Sequence, residues 1–176
     1  MKIGFCGTMS VGKTTLVNAL ADLPEFKDYK FRTERSKYLM EMGIPLNVDS
    51  TVKGQAVFLA ERASELMQDK IITDRTIIDV MAFAKCSKSM YHFEADDFCN
   101  FASNMLNEYD YIFYVSPEGV EIENNGVRET NAEYRKLIDE NIQLLTIKYR
   151  HKIKNLIEIK GSTKEHIKLI KQAISL

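Results

Sequence analysis

The octapeptide Gly7-Thr8-Met9-Ser10-Val11-Gly12-Lys13-Thr14 constrains the fold of this chain more than any other segment. It fits the pattern GxxxxGK[ST] without a mismatch. The apolar run Ile3 to Cys6 precedes it as a short strand, and Lys13 to Leu23 follows as a helix that stops near Pro24. In that context each position has a physical task. Gly7 and Gly12 permit backbone angles that a Cβ would forbid. The turn can then aim the N–H groups of Thr8, Met9, Ser10 and Val11 inward at phosphate oxygens. The helix that opens at Lys13 adds the positive end of its dipole. Lys13 supplies a mobile charge for the outer phosphates, and Thr14 a hydroxyl for Mg²⁺. Thr15 is placed to reach the innermost phosphate. The segment therefore predicts a site for a nucleoside triphosphate, ATP in the first instance, with Mg²⁺.

The rest of the chain alternates strand and helix patterns. Strands are predicted at Tyr29–Glu34, Lys70–Asp74, Tyr111–Val115 and Asn155–Ile159. Between them lie helical patterns at Arg35–Met42, from about Ser50 to Gln68, at Ile77–Lys85, Ala95–Glu108 and Asn131–Tyr149, with Thr163–Ile174 at the end. Asp49 or Ser50 is the expected cap of the second of these, and Val57, Leu59, Ala60, Ala63 and Met67 its apolar stripe. Strands separated by helices imply a five-stranded parallel sheet covered on both faces, a three-layer α/β P-loop fold. Ligands then gather at the carboxyl ends of the strands. The 176 residues fit a single domain, and residues 117–130, which lack a clear period, are expected to form a lid.

Several polar residues fall near that edge. Ile71-Ile72-Thr73-Asp74 is an apolar run ending in a carboxylate. Asp74 can hold the metal through water, accept the proton of an acceptor hydroxyl, or cap the next helix. Arg75 can clamp a phosphate in bidentate fashion or form a surface ion pair. Glu34 and Arg35 end the second strand, where they can bind an acceptor or simply open a helix. Arg128 is the candidate lid arginine, with Arg135 behind it in the following helix.

Composition narrows the classes. A net charge of −1 gives no global field toward nucleic acid or an anionic membrane. The lysine-rich tail, with Lys152, Lys154 and Lys160, reads either as a solvated face or as a patch for a nucleic-acid acceptor. Cys6, Cys86 and Cys99 show neither a disulfide framework nor zinc spacing, so reduced thiols in the cytoplasm are expected. No apolar run reaches membrane-spanning length.

With these residues in hand, the chain resembles small P-loop kinases related to bacterial nicotinamide-riboside kinase, within the wider nucleoside and nucleotide kinases. The resemblance runs through GTMSVGKTTLVNAL, TERSKYLMEMGIP, IITDRTIIDVMAFA, DYIFYVSPEG and NNGVRETNAEYRKLID. It implies ATP as donor, a hydroxyl acceptor and a sheet of nucleotide-kinase type. It would put Asp74 at the acceptor hydroxyl or the metal, Glu34 and Arg35 in the acceptor pocket, and Arg128 in the lid. A similar build occurs in viral kinases that phosphorylate 5-hydroxymethyluracil in DNA, so DNA is a second candidate acceptor. A regulatory NTPase without an acceptor is the third reading, although no NKxD-type segment for guanine is present. The sequence leaves the oligomeric state open, with a homodimer among the options.

Overall fold

The computed structural model describes residues 1–33, 36–119 and 131–175. The strands are β1 (Lys2–Cys6), β2 (Lys30–Arg32), β3 (Ile71–Thr73), β4 (Tyr111–Val115) and β5 (Leu156–Ile159). The helices are α1 (Lys13–Ala21), α2 (Ser36–Glu41), α3 (Val52–Glu65), α4 (Ile77–Lys85), α5 (His92–Ala102), α6 (Ala132–Lys148) and α7 (Thr163–Ala173). All strand pairs are parallel, in the order β2-β3-β1-β4-β5. This is the three-layer P-loop fold with a five-stranded sheet. The chain fills one side of β1 first and then crosses to the other. The crevice at that reversal lies beyond the carboxyl end of β1, where the phosphate loop begins.

Alternation along the strands sorts the two layers. Ile3 and Phe5 of β1 and Phe113 and Val115 of β4 pack with Leu16, Leu20 and Ile170 of α1 and α7. Cys6 and Ile112 face the opposite layer, built from α3, α4, α5 and α6. Within α4 every residue from Ile77 to Ala84 is buried. Its apolar composition all round fits that central position. Cys6, Cys86 and Cys99 are free and buried. Among the described residues, no helix is long and apolar enough to cross a membrane.

The structure corrects the reading of α3. Its cap is Thr51, whose hydroxyl accepts from the Gly54 N–H, not Asp49 or Ser50, which fall in and just after a preceding short 3₁₀ turn. Of the expected stripe, Leu59 is buried, and the rest of the inward face is displaced from it. Val57 and Met67 are exposed, the latter at 84%, whereas Gln55, Leu59, Arg62 and Glu65 face inward. The inner face is polar through Gln55, Arg62 and Glu65. Arg62 Nη2 donates to Glu65 Oε1 at 2.8 Å, and both side chains are buried. Hydropathy alone assigns such a pair to solvent, so the stripe was drawn one face away.

Burial raises the Glu65 carboxyl from 4.5 to about 7, opposed by Arg62 and reinforced by Glu61. The sign follows from linkage. Between those two values the unfolded chain has released the proton and the native chain has not, so stability falls as pH rises through this window. Urea unfolding should show a loss of up to about 3 kcal/mol between pH 4.5 and 7 that Glu65→Gln flattens. A wild-type profile as flat as the variant's contradicts this.

Candidate active site

The phosphate loop leaves β1 in a conformation that its glycines require. Gly7 has φ +152°, and a Cβ there would lie 2.7 Å from the Val115 carbonyl oxygen. Gly12 caps α1 with φ +81°. Lys13 is 7% exposed, and its Nζ donates to the Gly7 and Thr8 carbonyls at 2.6 and 2.7 Å. The ammonium is thus held against the loop by backbone carbonyls, and a phosphate's full negative charge can compete with them.

Asp74 follows β3 directly, on the strand beside β1. Its Oδ2 accepts from the Thr14 hydroxyl at 2.6 Å. Its Oδ1 is buried and has no hydrogen-bond partner among the described residues. A buried carboxylate oxygen without a donor is costly unless a ligand completes it. Two hard oxygens beside a phosphate loop suit Mg²⁺, which takes few protein ligands and keeps phosphate and water oxygens for the rest. No cluster of three or more His, Cys, Asp or Glu side chains able to hold a metal occurs among the described residues. The Thr14 hydroxyl and the Asp74 carboxylate, 2.6 Å apart, are oxygens of the kind that would suit the ion. Asp74 does not cap α4. That role belongs to Thr76, in a reciprocal capping box with Asp79.

Asp79 escaped the sequence reading, although Thr76-x-x-Asp79 is itself a capping-box pattern. It is fully buried. Its Oδ2 accepts from the Thr76 N–H and hydroxyl at 2.7 and 2.9 Å, and its Oδ1 accepts from the Gly7 N–H at 3.2 Å. One carboxylate thus ties the start of the phosphate loop to the start of α4. Burial raises its pKa, while Lys13, Arg75 and the Thr76 bonds oppose the shift. On the other side of the loop, Arg135 is an anchor. Its Nε donates to the Met9 carbonyl at 3.1 Å, and its own carbonyl accepts from Thr8 Oγ1 at 2.9 Å.

Arg75 joins two spaces. It lines the small pocket of the phosphate loop together with Lys13, Thr14 and Asp74. It also borders a cleft with Ser36, Asn47, Gln55, Phe58 and Phe83. There the guanidinium lies 4.9 Å from the centre of the Phe83 ring, a cation–π contact. Aromatic walls and a few amide groups make a slot for a flat, hydrogen-bonding ring. None of Gln55, Phe58 or Phe83 was singled out in the sequence, because they converge from α3 and α4 only on folding. Glu34, Arg35 and Arg128 lie outside the described residues, as does most of the expected lid, 117–130.

The basic tail does not gather at this site. Lys152 donates to Ser103 and Asn104, Lys154 pairs with Asp110 at 3.1 Å, and Lys160 pairs with Glu118 at 3.0 Å. Lys152 and Lys154 precede β5, so they sit at the amino end of a parallel sheet whose phosphate loop is at the carboxyl end.

Comparison with known proteins agrees with this architecture. A family model described as an AAA domain matches residues 2–166. No functionally curated protein matches the sequence. Among solved structures, deoxyadenosine kinase from M. mycoides with bound dCTP superposes with a TM-score of 0.64 at 17% identity, over 99% of each chain. NadR protein in complex with NAD and AMP-PNP gives a TM-score of 0.70 at 14% identity, over 99% of this chain and 49% of that one. YorR protein from Bacillus subtilis, in complex with phosphorylated GDP, gives 0.58 at 16% identity, over 100% and 96%. At these identities the likenesses speak for the fold. The phosphate loop on the central strand, its acidic partner on the neighbouring one, and a family match through nearly the whole chain place this protein in the AAA domain family of P-loop proteins.

Proposed function

We propose that the protein is an ATP-dependent phosphotransferase that moves the γ-phosphoryl group to a hydroxyl of a nucleoside- or nucleotide-type acceptor. The observation that carries this reading is the junction at Asp74 and Arg75. Asp74, with one carboxylate oxygen on Thr14 and the other buried without a donor, lines the phosphate-loop pocket there, and an aromatic, amide-lined cleft shares Arg75 with it. A switch protein needs the loop but not the second space. The fold neighbours support it too, since one is a deoxyadenosine kinase and another holds a phosphorylated guanine nucleotide.

Each residue then has a role. The loop amides and Lys13 bind the donor phosphates and offset charge as it shifts to the leaving oxygen. Thr14 and Asp74 would hold Mg²⁺, which would supply further charge neutralisation. Asp74 orients the acceptor hydroxyl and takes its proton as the new P–O bond forms and the bond to the β-phosphate oxygen breaks. Arg75 spans both spaces and fixes the acceptor against the donor. Phe58 and Phe83 exclude water around the acceptor ring, and Gln55, 2% exposed, reads its edge.

Lys152 and Lys154, at the amino end of the sheet, offer no track toward Asp74, which favours a free nucleoside or nucleotide over a base in DNA. Gln55→Ala should raise the acceptor KM about tenfold or more while leaving the ATP KM within about twofold. Steady-state kinetics with each substrate varied in turn will show this. Equal changes in both constants would remove Gln55 from the acceptor site.

A further inference from the structure

We propose that Asn47 is a specificity-determining residue of the acceptor cleft, where its side-chain amide and that of Gln55 read the hydrogen-bonding edges of a neutral nucleobase; this rests on the reading of that cleft as the acceptor site. Asn47 lines the cleft with Leu46, Gln55, Phe58, Arg75 and Phe83. Its backbone is left-handed, with φ +56°. Among the described residues, Ser10 and Ser175 are the other non-glycine positions with positive φ, and Ser10 lies in the phosphate loop itself. Such conformations persist only where the surroundings impose them, and they gather at binding sites.

The surroundings of Asn47 are the two helices that wall the cleft. The Asp49 N–H donates to the Leu46 carbonyl at 3.2 Å and closes a tight turn with Asn47 at its second position. A left-handed residue there suits Gly or Asn. The turn is tied to the segment just after α4, the helix that carries Phe83. The Lys88 N–H donates to the Val48 carbonyl at 2.9 Å, and the Ser87 hydroxyl donates to the Ser50 carbonyl. On the other side Thr51 caps α3, the helix that carries Gln55 and Phe58. Gly54 allows a close approach here, since a Cβ on it would lie 3.2 Å from Ile44 Cγ2 and 3.5 Å from the Pro45 carbonyl oxygen. The turn is thus pinned to both helices and keeps Asn47 at a fixed place on the cleft wall.

The chemistry of the amides sets the class of ring. A carboxamide carries N–H donors beside a carbonyl acceptor. It matches a base edge that offers an acceptor next to a donor, as adenine does to Asn or Gln. It carries no charge, so it does not reward an ionised ring. Two carboxamides on different elements can read two positions of one base. Leaving either without its partner is costly where water is excluded, which turns the pair into a selector. A residue kept only for the turn would need the left-handed φ and nothing more, and glycine supplies that at lower cost.

Asn47→Gly separates the two roles, because it keeps the turn and removes the amide. The variant should keep the wild-type melting profile, raise the acceptor KM about tenfold and leave the ATP KM within about twofold. It should also flatten the ranking of kcat/KM among adenosine, guanosine, cytidine, uridine and their 2′-deoxy forms. Asn47→Asp also tolerates the turn but replaces the N–H donors with a charged acceptor, and it should raise the acceptor KM by a similar factor. Calorimetry with the same nucleosides, beside a non-hydrolysable ATP analogue and Mg²⁺, measures binding apart from transfer. A nucleoside that binds wild type, binds Asn47→Gly about tenfold more weakly and receives no label from ATP would support this inference and overturn the kinase reading. Transfer with an acceptor KM and a base ranking unchanged in both variants would overturn this inference and leave the kinase reading standing. Binding of none of the nucleosides would overturn both.

Discussion

Replacing Asp74 with Asn is expected to lower phosphoryl transfer by about 10²–10⁴-fold while leaving nucleotide affinity within about threefold of wild type. Asparagine keeps the shape of the side chain and one acceptor, so the Thr14 hydroxyl can still donate. What disappears is the negative charge and the second acceptor oxygen, the buried Oδ1. Binding draws mainly on the loop amides and on Lys13, neither of which touches that oxygen. Transfer needs a proton acceptor and a full charge at the metal, and both are lost. Calorimetric titration with a non-hydrolysable nucleotide and a turnover assay separate the two effects. If affinity and turnover fall together, Asp74 is a binding residue. Unchanged turnover would remove it from the mechanism.

The largest effect on stability should come from Asp79→Ala, a loss of about 3–5 kcal/mol in urea unfolding. The carboxylate accepts three bonds, from the Gly7 N–H, the Thr76 N–H and the Thr76 hydroxyl, with no access to water. Alanine leaves buried donors without acceptors and removes the capping box of α4, the helix at the centre of its layer. Lys13 and Arg75 lose a buried counter-charge as well. Nucleotide affinity should fall with it, because the Gly7 peptide is no longer fixed. Asp79→Asn, which keeps one acceptor, should cost less in both measurements. A variant as stable as wild type would show that the Gly7 tether carries no weight.

These two aspartates show how far a sequence reading reaches. Asp74 was legible because an apolar strand ending in a carboxylate, paired with GTMSVGKT, leaves few alternatives. The same strand logic gave β4 and β5, and the helix at Ile77–Lys85 was expected where α4 stands. Asp79 carries a local pattern that was readable, but its bond to Gly7 spans 72 residues of sequence. The cleft was illegible for a related reason. Gln55 and Phe58 meet Arg75 and Phe83 only once α3 has turned a polar face inward, and hydropathy assigned the opposite face. Arg135 was visible as a residue near the phosphates, yet its grip on the Met9 carbonyl depends on where α6 docks.

The central claim is that the phosphate loop serves an acceptor held in the neighbouring cleft. Its most direct test is to follow label from γ-³²P ATP into a panel of nucleosides, nucleotides and hydroxymethylated DNA, with wild type and Asp74→Asn side by side. The predicted result is transfer to a hydroxyl of a free nucleoside-type acceptor by wild type, reduced at least about 100-fold in the variant. Slow release of inorganic phosphate, unchanged by every acceptor and equal in both proteins, would contradict it.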